Sequence, residues 1–164
     1  MAMAPAGGIR PGSKGSVAMT IAAILKNKPN NVVLVAPKDE LRTVVQGLAR
    51  QKVGVALVME GDRMIGIISE RDVMRVLAAN GPAVLETAVE CHMISEVRTC
   101  TPATTVDEAT AMMNAGRFRH LPVIDEARLL GVISIRDLLN AKVAKQATDV
   151  NSLCGYVAGA YTRS

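Results

Sequence analysis

The sequence predicts an α/β fold made of two β-α-β-β-α repeats packed about a pseudo-twofold axis, and three observations carry that prediction. The phrase Gly66-Ile67-Ile68-Ser69-Glu70-Arg71-Asp72 returns 65 positions later as Gly131-Val132-Ile133-Ser134-Ile135-Arg136-Asp137. The offset holds without a gap from Pro37/Pro102 through Val58/Val123 and Arg63/Arg128, the mark of one supersecondary unit used twice. Each copy alternates β-rich apolar runs with stretches of helical spacing, which is an α/β pattern. Finally, 49% of the chain is hydrophobic, while Phe118, Tyr156 and Tyr161 are its only aromatics, so the interior must be aliphatic.

Each copy reads in the order turn, helix, strand, hairpin, strand, helix. In the first, Pro37-Lys38-Asp39-Glu40 is a turn into a helix over 41–51, where Leu41, Val44, Val45 and Leu48 recur at helical spacing. Residues 53–59 are nearly all apolar and β-rich, as expected of a strand buried on both faces. Glu60-Gly61-Asp62-Arg63 is a tight hairpin turn, 64–69 the return strand and 70–79 a helix that Asn80-Gly81-Pro82 stops. In the second copy Thr101-Pro102-Ala103-Thr104 is the turn, 106–115 and 135–145 the helices, and 121–124 and 129–134 the strands. A unit of this kind cannot cover both faces of its small sheet alone, and pairing two of them solves the problem. The expected organisation is a flexible leader over 1–18, a first repeat over 19–82, a linker over 83–96, a second repeat over 97–145 and a tail over 146–164. Met19 starts a short amphipathic helix, and the linker region to residue 97 is expected to add a short helix and an edge strand.

Composition narrows the function. The formal charge of +4 is mild and spread out, the chain lacks aromatic stacking platforms, and no long basic helix is present, which argues against nucleic acid as partner. Cys91, Cys100 and Cys154 are odd in number and lack metal-ligand spacing, so neither a disulfide framework nor a metal site is expected, and a reduced, cytoplasmic compartment fits. Adjacent Cys91 and His92 point different ways and have no second pair to complete a metal site. No apolar run is long enough for a membrane span. Residues 17–25 follow Arg10 and Lys14 and superficially resemble a targeting segment, but Lys26 and Lys28 come at once and no cleavage site stands out.

Ser-x-x-Asp at the start of a helix is first of all a capping box, and that explains Ser69/Asp72 and Ser134/Asp137 without any ligand. Three features add a second reading. The motif opens a helix at a strand end, where free N–H groups favour an anion. Gly66 and Gly131 let another group approach the backbone, and Arg71 and Arg136 can brace the carboxylate or meet a phosphate. A carboxylate so placed can accept two vicinal hydroxyls, as on a ribose. No nucleophile–base–orienter constellation accompanies it, so a regulatory module rather than an enzyme is expected.

The doubled phrase, with Arg117-Phe118-Arg119-His120-Leu121-Pro122-Val123 in the second hairpin, resembles the tandem CBS domain pair, or Bateman module, over roughly residues 19–144. The resemblance implies adenine-nucleotide binding (AMP, ADP, ATP, NAD-type dinucleotides or S-adenosylmethionine) between the repeats, with the motif Asp on the ribose, and a homodimer of pairs. It implies one site with Asp72, Ser69 and Arg71, faced by Arg119, His120 and Pro122 of the other repeat, and a second with Ser134, Arg136 and Asp137. Thr104 and Thr105 would place hydroxyls near phosphate, where the first repeat has Asp39 and Glu40. The second site faces Lys52-Val53-Gly54-Val55-Ala56, which has no counterpart of Arg119 or His120, so the sites should be unequal, with the Asp72 site favouring phosphate. The rival expectations are a ligand-free dimerisation or docking module and, more weakly, a nucleic-acid-binding regulator. Met74, Met112 and Met113 fall at helical spacing and are expected in the core or a dimer interface.

Overall fold

The computed structural model describes residues 18–160, with side chains described through residue 148. The expected leader over 1–18 lies outside this range except for its last residue, and the side chains of Cys154, Tyr156 and Tyr161 lie outside it as well.

In chain order the elements are α1 (Ile21–Lys26), β1 (Val33–Val35), α2 (Leu41–Gln51), β2 (Val55–Glu60), β3 (Arg63–Ser69) and α3 (Glu70–Asn80), followed by α4 (Val106–Gly116), β4 (His120–Asp125), β5 (Arg128–Ser134) and α5 (Ile135–Ala160). The first sheet has order β1-β2-β3, with β1 parallel and β3 antiparallel to β2. The second consists of β4-β5, with Cys100 bridged to Val123 in the place that β1 holds in the first. The 65-residue offset survives as geometry: Val55↔Ser69 becomes His120↔Ser134, Glu60↔Arg63 becomes Asp125↔Arg128, and the bulge after Val58 recurs after Val123.

Both helices that open a unit bury one stripe, Leu41, Val44 and Leu48 in α2 and Val106, Ala109 and Met113 in α4. Both end in a left-handed residue that is not glycine, Lys52 at φ 54° and Arg117 at φ 55°. α3 ends as expected, with Gly81 at φ 72° donating to the Leu77 carbonyl at 2.8 Å ahead of Pro82.

Alternation explains why β2 is apolar throughout. Ala56 and Val58 join a core with Leu41, Val44, Leu48 and Ile68, whereas Val55 and Leu57 join Val132 in a seam between the two sheets. One face is thus covered by helices and the other by the second unit. The second unit has its own core around Leu121, Val123, Ile133, Met113 and Leu138.

Each unit is also closed by the segment that precedes the other. Ile21 is fully buried in the second core, and Val89 is fully buried in the first. The backbone contacts match one for one. Val106 donates to Met19 and Leu41 to Thr87, both at 2.9 Å; Ile21 donates to Thr104 and Val89 to Asp39, both at 2.9 Å. The expected borders at 19–82 and 97–145 therefore follow the chain, not the packed halves.

Two details differ from expectation. The linker forms two short 3-10 turns, Pro82–Glu86 and Val89–Cys91, and no edge strand; Ile94 pairs with Ile67 alone before the chain turns, Val97 donating to Ser95 at 3.0 Å. α5 continues through most of the tail to Ala160. The three methionines divide between core and surface: Met113 is buried and Met112 partly so, while Met74 is 63% exposed and outside the core. No helix among the described residues is long and apolar enough to cross a membrane.

Candidate functional site

A cleft of about 480 Å³ opens between the units at the N-terminus of α3. The first unit contributes Gly54, Val55, Ile67, Ser69, Glu70, Arg71, Asp72 and Arg75; the segment before the second unit contributes Ile94, Glu96, Val97 and Arg98; the turn after α4 contributes Arg117, Phe118, Arg119 and His120. The structure thus brings together Ser69, Arg71, Asp72, Arg119 and His120 from two units, as the sequence suggests. Arg75, Arg98 and Arg117 join them unforeseen. The signal for Arg75 was available, since it lies one helical turn beyond Asp72.

The capping box is real. The Ser69 amide donates to Asp72 Oδ2 at 3.0 Å, the Ser69 hydroxyl bonds the same oxygen, and the Asp72 amide donates to Ser69 Oγ at 3.3 Å. Glu70 N–H is taken as well, by the Gly54 carbonyl at 3.0 Å, which leaves fewer free amides for an anion than the motif alone implies. Among the described residues Asp72 Oδ1, in contrast, meets only Arg75, at 3.3 Å, and that side chain is 70% exposed. One carboxylate oxygen is therefore fixed by the fold and the other faces a group that water can replace.

Among the described residues, the side chains of Arg71, Arg98, Arg117 and Arg119 make no ion pair or hydrogen bond. These four guanidinium groups share one concave site with the carboxylates of Glu70, Asp72 and Glu96, and each is always charged and has the bidentate geometry that suits a phosphate. The apolar part of the wall is Val55, Ile67, Ile94 and Val97. His120 stands against Gly54, where an added Cβ would meet its ring at 3.1 Å. Burial holds its imidazole below the ordinary range, Lys28 and Arg119 push the same way, and Asp137 partly opposes them.

The equivalent place in the second unit is built differently. Ser134 and Asp137 repeat the cap, the Ser134 amide reaching Asp137 Oδ2 at 2.7 Å and its hydroxyl at 2.8 Å. Lys28 Nζ donates to the same Oδ2 at 2.6 Å and to the Val132 carbonyl at 2.9 Å. Burial raises the Asp137 carboxyl, but the Lys28 and Ser134 hydrogen bonds outweigh it and hold the group below its usual range. Arg136 is exposed and is not part of the Asp72 cleft.

The remaining expected site residues stand apart from the cleft. Thr105 caps α4, accepting from Glu108 N at 3.2 Å and donating to Glu108 Oε2 at 2.8 Å, while Thr104 Oγ1 accepts from Thr101 N at 3.1 Å. Pro122 is buried in β4, its carbonyl accepting from Cys100 N at 3.0 Å. Cys100 is buried too, which raises its thiol to about 11 and leaves it unreactive. No cluster of three or more His, Cys, Asp or Glu among the described residues could hold a metal ion.

Comparison with known proteins agrees with this architecture. The CBS domain profile matches residues 25–79 and 88–144. The chain is 30% identical over 156 residues to the mitochondrial CBS domain-containing protein CBSX3 of Arabidopsis thaliana, spanning 90% of this chain and 76% of that one. A protein with CBS domains from Burkholderia ambifaria superposes with a TM-score of 0.74 at 37% identity, over 78% of this chain and 96% of that chain. The CBS domain protein PAE2072 of Pyrobaculum aerophilum, solved in complex with AMP, superposes with a TM-score of 0.68 at 26% identity, over 79% of this chain and 99% of that chain. Two matched segments, two sheets in one register and two capped helices 65 residues apart place this chain in the CBS domain family, as a tandem pair.

Proposed function

We propose that the protein is a regulatory adenine-nucleotide sensor and not an enzyme. The observation that carries this reading is the cleft at Asp72, where a carboxylate oxygen held by the exposed Arg75 alone shares a partly apolar cleft with four arginines that have no partner among the described residues. The ribose hydroxyls bond Asp72 Oδ1 once Arg75 swings away, Ile94 and Val97 flank the adenine, and Arg71, Arg98, Arg117 and Arg119 take the phosphates. Five arginines against the carboxylates of Glu70, Asp72 and Glu96 leave the cleft net positive, which favours ligands bearing several phosphates, ATP, ADP or an NAD-type dinucleotide, over AMP. The AMP bound to the Pyrobaculum aerophilum relative supports the choice of an adenylate.

Occupancy ties the two units together, because the ribose partner and Arg71 lie on α3, whereas Arg98, Arg117 and Arg119 lie on the second unit and the segment leading to it. A ligand of this kind stabilises the orientation that completes its contacts, and it does so only to the extent that it binds that orientation better. Met74 and Leu139 occupy equivalent positions on α3 and α5 and are 63% and 54% exposed. Such a matched apolar pair on one chain supports a two-fold contact with a second copy, which would carry the change to a regulated protein in the cytoplasm.

The test is a thermal-shift and calorimetric panel of AMP, ADP, ATP, NAD and S-adenosylmethionine. The reading predicts saturable stabilisation, strongest for the ligands with most phosphate charge. No shift with any of them, and no excess absorbance at 260 nm in the purified protein, would support a ligand-free docking module instead.

A further inference from the structure

We infer that Lys28 closes the second cleft from within, so that the chain holds one nucleotide rather than two. The inference rests on the nucleotide reading of the Asp72 site and concerns its pseudo-symmetric partner.

The two segments that lead into the units are equivalent at both ends. Thr20 bridges Thr105 as Ala88 bridges Glu40, and Val35 pairs with Val58 as Cys100 pairs with Val123. Between those fixed ends the segments differ in length: fourteen positions separate Ile21 from Val35, and eleven separate Val89 from Cys100. The additional three residues fall around Lys28. In the first unit the Ile67 carbonyl accepts the backbone amide of Ile94 at 2.8 Å. At the equivalent carbonyl, Val132, the longer segment has moved its backbone out of reach and the Lys28 ammonium takes the bond at 2.9 Å. The same ammonium bonds Asp137 Oδ2 at 2.6 Å, the carboxylate that corresponds to Asp72.

Both groups are largely withdrawn from water, Lys28 29% and Asp137 20% exposed at the side chain. Asn30 and Leu25 fill the space over Gly131, at 3.0 and 3.3 Å from where a Cβ would stand. Beside this loop lies a hollow of about 130 Å³ lined by Leu25, Lys28, Asn30 and Val132 among others, and Asp137 is not among its walls. Small-molecule sites occupy roughly 300–1,000 Å³, a range that the Asp72 cleft meets and this hollow does not. A ribose approaching Asp137 would meet an ammonium held on the same carboxylate and a packed loop.

The test is calorimetric titration of the full chain with ATP, for the wild type, Lys28→Met and Lys28→Met/Asp137→Asn, with melting curves to establish folding. The expected result is one ATP per wild-type chain, two per Lys28→Met chain and one again in the double variant. Two sites in the wild type, or one in a folded Lys28→Met chain, would overturn the inference. A nucleotide-independent measurement separates this from the parent reading: carbon NMR titration of the Asp137 carboxyl. The contact predicts that this carboxyl titrates higher in Lys28→Met than in the wild type. Unchanged titration would refute the plug even if ATP binds, whereas a clear shift with no ATP bound by any form would sustain the contact and refute the nucleotide reading.

Discussion

The repeat supplies its own control for the role of Asp72. Asp72→Asn and Asp137→Asn alter the same capping contact, because each aspartate accepts the amide and hydroxyl of the serine three residues before it. Loss of a cap costs about 0.5–2 kcal/mol, so both variants lose stability. Asp137→Asn loses more, since it also removes the carboxylate bonded to Lys28 at 2.6 Å, and hydrogen bonds to charged groups contribute about 1.5–3 kcal/mol. Ligand affinity should rank the other way. Asp72 has one oxygen that only the exposed Arg75 meets, and replacing a charged acceptor of ribose hydroxyls by a neutral amide forfeits about 1.5–3 kcal/mol of binding. That is about 10- to 100-fold in Kd. Urea unfolding should therefore place Asp137→Asn below Asp72→Asn, while ATP calorimetry should find Asp72→Asn weakened and Asp137→Asn near wild type. If a folded Asp137→Asn protein lost affinity and Asp72→Asn did not, the assignment of the open site would be refuted.

Three further outcomes follow from the same geometry. Arg119→Ala should weaken ATP by about tenfold, the scale of one charge-assisted contact, and leave adenosine unaffected in parallel calorimetry; equal losses for both would point to packing instead. In the second hairpin Glu126 and Ala127 stand at φ 45° and 64°, so replacing them by Asn-Gly should stabilise the protein by about 1 kcal/mol in urea denaturation, and destabilisation would contradict the turn geometry. His120 is held neutral by burial, with its pKa below the ordinary 6.5, so the unfolded chain takes up a proton first as pH falls. Its contribution is complete above that value and is lost on acidification, so Tm should fall as the pH drops below about 6.5, and His120→Gln should flatten that limb. An equally steep limb in the variant would assign the effect elsewhere. Asp137, depressed below 3.8, adds its own loss only in more acid solution.

Much of this architecture is legible in the sequence because it is written twice. The hairpin ends, the helix starts and even the bulge after Val58 and Val123 fall 65 residues apart, so each copy checks the other. The cap at Ser69 and the stop at Gly81 are local chemistry and appear where the residues call for them. What stays hidden depends on contacts distant in the chain. Val33–Val35 is three residues long, too short to show a period, and its counterpart at Cys100 shrinks to one bridge. Nothing in the composition of Ile21–Lys26 says that this helix completes the core of the distant second unit. Arg98 enters the cleft because its segment is pinned to Ile67 through Ile94, a pairing with no sequence signature. Thr104 and Thr105 have a local use as well: their hydroxyls hold the turn and cap of α4. The expectation that the two sites differ rests in the sequence on Arg119 and His120, whereas the contact of Lys28 with Asp137 is one that only the fold creates.

The most direct test of the account is a crystal structure of the chain grown with ATP. It should show one nucleotide, in the cleft between the units, with its ribose hydroxyls within hydrogen-bonding distance of Asp72 Oδ1, its phosphates among Arg71, Arg98, Arg117 and Arg119, and Lys28 still on Asp137. A nucleotide seated on Asp137 with Lys28 displaced, or an empty Asp72 cleft at saturating ATP, would contradict it.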